Sequence, residues 1–137
     1  MNDLFINGKD AFQTWGVKMG DDFINEILSP VPLKEFIENE SRLEDGKRVI
    51  YSLPKLADRG LSLTFYIEGD DEIDYISKFK SFVAELQKGC VLVNIPVLGL
   101  EVYKLTYLKS TSYAMNTKRT FSKLAVSFNE PNPNDRK

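Results

Sequence analysis

The chain contains no histidine. That absence removes Ser-His-Asp and Cys-His nucleophile machinery, zinc motifs built on imidazole, and any imidazole switch near neutral pH. Carboxylate-only, lysine-based and magnesium-dependent chemistry survive the exclusion. The single cysteine, Cys90, cannot close an internal disulfide, and in the run Cys90-Val91-Leu92-Val93 it reads as a small buried hydrophobe. No stretch approaches the roughly 20 consecutive apolar residues that span a bilayer. The start, Met1-Asn2-Asp3-Leu4-Phe5, lacks the basic-then-apolar pattern of a secretory signal. The expectation is a protein that is soluble and intracellular when made. Gly60, Gly69 and Gly99 match neither phosphate-binding spacing, so nucleotide binding has no motif behind it and no cofactor is expected.

What is present fits one core. At 137 residues, 42% apolar and 12% aromatic, the chain has the size of a single domain, expected over residues 1–130. Residues 131–137, with two prolines and no period, are expected to form a flexible tail. The net charge of −2 is unevenly spread: residues 1–46 carry ten acidic side chains against four basic. Between Val102 and Asn129 the only charged residues are Lys104, Lys109, Lys118, Arg119 and Lys123, all positive. Complementary ends suit a subunit that packs against copies of itself.

Periodicity supplies the elements. Leu4-Phe5-Ile6 followed by Asn7-Gly8 predicts a strand and tight turn, and residues 12–19 are expected to resume extended chain as a hairpin with Trp15 and Val17 on one face. Asp21 and Asp22 ahead of Phe23, Ile24, Ile27 and Leu28 predict a short helix stopped at Pro30. Residues 33–45 read as a loop or extended arm, residues 47–52 as a strand, and residues 53–60 as an exposed loop. Strict alternation of Leu61, Leu63, Phe65 and Ile67 makes the clearest strand. Ile73, Ile76, Phe79, Phe82, Val83 and Leu86 recur at helical spacing after the acids Asp70, Asp71 and Glu72, which predicts an amphipathic helix with those six side chains in the core. Three strands follow, over residues 90–95, 100–108 and 119–128, joined by a turn at Pro96-Val97-Leu98-Gly99 and a longer loop over 110–118. The fold class is therefore α+β: an antiparallel β-sandwich or partly open β-barrel of about six strands, flanked by one amphipathic helix.

Candidate sites weigh toward structure. The cluster Asp70, Asp71, Glu72 and Asp74 lacks the glycine and distal glutamate of a calcium loop and reads as helix N-terminal charge. Tyr103, Tyr107, Tyr113 and Phe121 among lysines have the ingredients of a single-strand nucleic-acid surface, but alternation that exposes the lysines buries most of the aromatics. Nucleic acid is therefore an unfavoured partner. Two polar excursions, residues 33–47 and 53–60, are long for a domain this small. They are read as arms reaching a neighbouring subunit, with Phe36, Ile37 and Leu43 as apolar anchors and Arg42, Arg48 and Arg59 meeting acidic side chains of that neighbour.

The order of features also resembles a known family. Phe5-Ile6-Asn7-Gly8-Lys9-Asp10, then Trp15-Gly16-Val17, the run Arg59-Gly60-Leu61-Ser62-Leu63-Thr64-Phe65-Tyr66-Ile67-Glu68-Gly69, a helix ending at Gly89 and a strand holding Tyr103 are similar to small phage tail proteins. The likeness is to prophage tail components of Bacteroides-type bacteria, related in layout to the N-terminal domain of distal tail proteins and more loosely to tail-tube proteins. It implies a non-enzymatic ring subunit, commonly of six copies, assembled in the bacterial cytoplasm with itself and neighbouring tail proteins and carried in the virion tail. Against larger distal tail proteins, the expectation is a chain without the second, carbohydrate-binding domain. A rival reading is a small oligosaccharide- or single-strand-binding barrel; a carboxylate hydrolase is a further one.

Overall fold

The computed structural model describes residues 3–34, 37–40, 47–50 and 56–137, with 37–40 and 47–50 described by backbone alone. The fold is α+β, with an antiparallel sheet of sandwich or open-barrel type. Strands β1 (Phe5–Ile6), β2 (Lys9–Asp10), β3 (Val17–Met19), β6 (Arg59–Glu68), β7 (Cys90–Asn94), β8 (Val102–Met115) and β9 (Phe121–Glu130) form one seven-stranded sheet in the order β2-β1-β7-β8-β9-β6-β3. Strands β4 (Ile37–Glu40) and β5 (Lys47–Ile50) form a separate two-stranded sheet. Among the described residues the α-helices are α1 (Ala11–Trp15), α2 (Phe23–Leu28) and α3 (Glu72–Leu86).

The centre is β6 against β9, paired without a break from Arg59↔Glu130 to Glu68↔Phe121. Alternation sends Leu61, Leu63, Phe65 and Ile67 inward beside Leu124, Val126 and Phe128, all buried. Phe65 sits at the middle, edge-on to Phe23 at 5.3 Å, Phe82 at 5.2 Å and Phe128 at 6.2 Å. Such contacts add to the area that these four aromatic rings bury. Helix α3 closes this face: the Asp71 carboxylate accepts from the Asp74 amide at its N-terminus, and Tyr75, Phe82 and Leu86 face the sheet.

The residues that α3 buries differ from the predicted six. Phe82 and Leu86 are buried and Ile76 and Phe79 pack at the margin, but Ile73 is 82% exposed, while Tyr75 and Glu85 are buried in its stead. The physical reason is the start of the helix: Gly69 lies against the Tyr75 backbone, so the first turn is rolled with Tyr75 inward. Glu85 is tolerated inside because the Asn7 side-chain amide donates to it, which also holds its carboxyl below the usual range.

Four further expectations change. Residues 12–19 are not continuous extended chain: Asp10 accepts from the amides of Phe12 and Gln13 and starts α1, and Gly16, at φ 65°, stops it. A side chain at Gly16 would overlap the Glu68 carbonyl oxygen. The predicted loop over 110–118 is mostly strand, since β8 runs on to Met115 and only a tight turn joins it to β9. Cys90 is exposed, because it begins β7 on the outer face while Val91 and Val93 take the inner one. The segment 131–137 is tied down: the Val102 amide donates to the Arg136 carbonyl at 3.0 Å, Lys104 meets Asp135 at 2.8 Å, and Pro133 is buried.

Candidate assembly surface

An arm leaves the sheet between α2 and β6. Its root is closed by a bridge between Leu33 and Leu56 and by the Ala57 amide donating to the Pro32 carbonyl at 2.8 Å. Beyond the root, β4 and β5 pair antiparallel, Ile37 opposite Ile50 and Asn39 opposite Arg48. Of the predicted interface residues, Phe36, Arg42 and Leu43 lie outside the described residues, and Ile37 and Arg48 are placed by backbone on the two arm strands.

Arg59 is placed differently from the expectation that it reaches a neighbour. It is 5% exposed, and its Nε donates to Glu130 Oε1 at 2.6 Å. Its two terminal nitrogens donate to the Ser29 and Ile27 carbonyls at the end of α2. Arg136 completes the node, its Nε donating to Glu130 Oε2 at 2.9 Å and its guanidinium lying 4.9 Å over the Tyr103 ring. Burial would raise the Glu130 pKa, but the Arg136 and Arg59 guanidiniums outweigh it and hold the carboxyl below its usual value. Position 59 begins a buried strand, so alternation turns its side chain inward, where the fully buried Glu130 needs a cation. The sequence offered a faint signal for this node: Glu130 continues the inward alternation of Leu124, Val126 and Phe128.

The same end of the sheet carries exposed apolar side chains. The 3-10 turn Pro96–Leu98 between β7 and β8 leaves Val97 78% and the following Leu100 96% exposed. At the opposite end, the turn from β8 to β9 rests on α3. Arg119 pairs with Glu72 at 2.9 Å, the Gly69 amide donates to the Thr120 carbonyl, and the Tyr75 and Tyr113 hydroxyls meet at 2.7 Å. Phe79 packs between those two tyrosines.

The acidic residues near 70–74 are engaged locally. Asp71 caps α3, Asp74 accepts from the Asp70 amide and pairs with Lys78 at 3.0 Å, and Glu72 holds Arg119. Among the described residues no group of three or more His, Cys, Asp or Glu side chains is placed to hold a metal ion. Of the tyrosines in the basic stretch, Tyr103 is buried and Tyr107 packs against the core; Tyr113 is 44% exposed. Among the described residues no helix is long and apolar enough to cross a membrane.

Comparison with protein-family models and with curated sequences gives no match. Comparison of the fold does. The chain superposes on the crystal structure of the SPP1 Dit protein (gp 19.1), described as a paradigm of the hub adsorption apparatus in phages that infect Gram-positive bacteria, with a TM-score of 0.60. The two share a fold. The superposition covers 96% of this chain and 50% of Dit at 17% identity, so the chain spans about half the length of that protein. The likeness is one of fold, and it spans the sheet and the helices packed on it.

Proposed function

We propose that this chain is a structural subunit of a phage or prophage tail, at the distal end or in a tube ring, working by self-assembly and by contact with neighbouring tail proteins. The observation that carries this reading is the Dit-like fold over 96% of the chain. The separate β4–β5 arm supports it, because a two-stranded hairpin is marginal in water by itself and gains from a partner. Exposed Val97 and Leu100 add apolar contact area. The copies close into a ring, six being the number the family layout suggests, in the cytoplasm of the bacterium and then within the virion tail. Prophages of the Bacteroides type are the source that the sequence resemblance favours.

The test is assembly of the purified protein over a concentration series, followed by light scattering and electron microscopy. Phe36→Asp and Leu43→Asp should each shift the assembly midpoint upward tenfold or more while the far-ultraviolet dichroism is unchanged. The estimate follows from the ~1.5–3 kcal/mol that a buried side chain of this size contributes. Unchanged assembly in both variants removes the arm from the interface.

A further inference from the structure

We propose that the open edge of β8 at Ser112–Met115 is the docking strand for β4 of a second copy of this chain, so that one subunit's arm extends its neighbour's main sheet. The inference rests on the self-assembly reading above and names the contact that carries it.

The β8 edge is unfinished. Strand β7 covers β8 only from Val102 to Thr106, whereas β8 continues to Met115 with β9 alone on its other side. The Tyr107 amide still donates to the Gly89 carbonyl at 2.8 Å, and beyond it, among the described residues, nothing pairs with the outward backbone groups of the extension. The comparable edge of β6 is closed: β3 covers Phe65 to Ile67, the Gly20 amide donates to the Thr64 carbonyl, and the Ser62 amide donates to the Glu26 carboxylate. Exposed backbone donors and acceptors on one long strand, with the other long edge capped, mark a place for strand addition.

Length selects the occupant. The β8 extension is interrupted by irregularities between Tyr107 and Lys109 and between Ser110 and Ser112, which bend the strand. Only Ser112–Met115 is regular, opposite Ala125 to Ser122, and this four-residue stretch matches the four residues of β4. Strand β4 has β5 on one side only and belongs to a sheet of two.

Charge selects between the arm strands. Lys104, Arg119 and Lys123 have carboxylate partners within the chain, whereas Lys109 and Lys118, flanking the open stretch, have none among the described residues. In sequence β4 carries Glu38 and Glu40, and β5 carries Lys47 and Arg48. Opposite charges across neighbouring strands stabilise and like charges destabilise, so β4 is the complementary strand. The same rule disfavours β8 pairing with β8 of another copy.

The sheet topology makes the contact intermolecular. The arm root adjoins Arg59, opposite Glu130, while Met115 lies opposite Ser122. Those two positions on β9 are roughly 26 Å apart at about 3.3 Å per residue. Among the described residues β4 pairs only with β5, in a sheet separate from the one that holds β8, so a β4–β8 pairing takes a second copy.

The experiment uses the full chain in a Cys90→Ser background with Asn39→Cys and Ser112→Cys together, treated with a short bis-maleimide at the concentration where light scattering shows assembly. A covalent ladder of multimers is expected from the double variant, at least tenfold stronger than from either single variant or from Asn39→Cys paired with Lys80→Cys on α3. Assembled protein without the ladder overturns the β4–β8 contact and leaves the tail-subunit reading standing. A strong dimer from Ser112→Cys alone overturns it in favour of β8–β8 pairing. A chain that stays monomeric and gives no ladder overturns both the contact and self-assembly.

Discussion

Replacing Glu130 by glutamine tests the buried node directly. The carboxylate is fully buried and accepts from Arg59 Nε at 2.6 Å and from Arg136 at 2.9 Å and 3.0 Å. Glutamine keeps the shape but removes the charge and turns an NH2 group toward guanidinium donors. Breaking a buried pair from one side costs about 3–5 kcal/mol, because the remaining cation stays in low dielectric. An unfolding entropy of about 2.1 cal/mol/K per residue gives about 0.3 kcal/mol/K for this chain. Glu130→Gln should therefore lower Tm by about 10–17 °C in a calorimetric scan. The linkage sign is that of an acid whose folded pKa is depressed. Its contribution is full above the unfolded value of about 4.3 and is lost as pH falls through the lower folded value. The gap between parent and variant should accordingly close in acid. The double variant Arg59→Met with Glu130→Leu should be less destabilised than Glu130→Leu alone, since it leaves no orphaned cation at position 59. A Glu130→Gln protein within about 1 kcal/mol of the parent at neutral pH refutes the reasoning.

Two other outcomes are expected. Asn7→Ala removes the acceptor for the Leu92 amide and the donor to Glu85, at a position with φ 53°, and should cost about 1–3 kcal/mol in urea unfolding with an unchanged m value. A loss below about 0.5 kcal/mol counts against the role given to Asn7. Cys90, exposed at the start of β7, should react with a thiol reagent in the native protein as completely as in denaturant; protection until unfolding contradicts its placement on the outer face.

The strongly periodic parts of the fold were legible in the sequence. Strand β6 alternates over its length and α3 carries helical spacing between an aspartate cap and a glycine, so both follow from pattern and end signals. The misses share a cause: tertiary contacts decided them. Helix α1 is five residues long, too short for periodicity to speak, and only the Asp10 and Gly16 caps marked it. The distal half of β8 reads Lys109-Ser110-Thr111-Ser112, polar enough for a loop, and is strand because β9 pairs with it. Ile73 and Tyr75 exchanged roles through the seat of Gly69 on α3, which no spacing encodes. At the candidate surface, residues 37–40, read from polarity as loop or extended arm, pair as β4 with β5. The inward turn of Arg59 followed from a partner, Glu130, that is 71 residues away in the chain.

The position of that arginine gives the arm an unusual foundation. The two strands of chain entering and leaving the arm are joined at Leu33 and Leu56, and a few residues on they are bolted to α2, to the end of β9 and to Arg136. A pull that reaches the Leu33–Leu56 bridge meets the Arg59 node within three residues. It passes as load into the central pair of strands and into the final residues of the chain at once, so segments remote in sequence share one mechanical anchor.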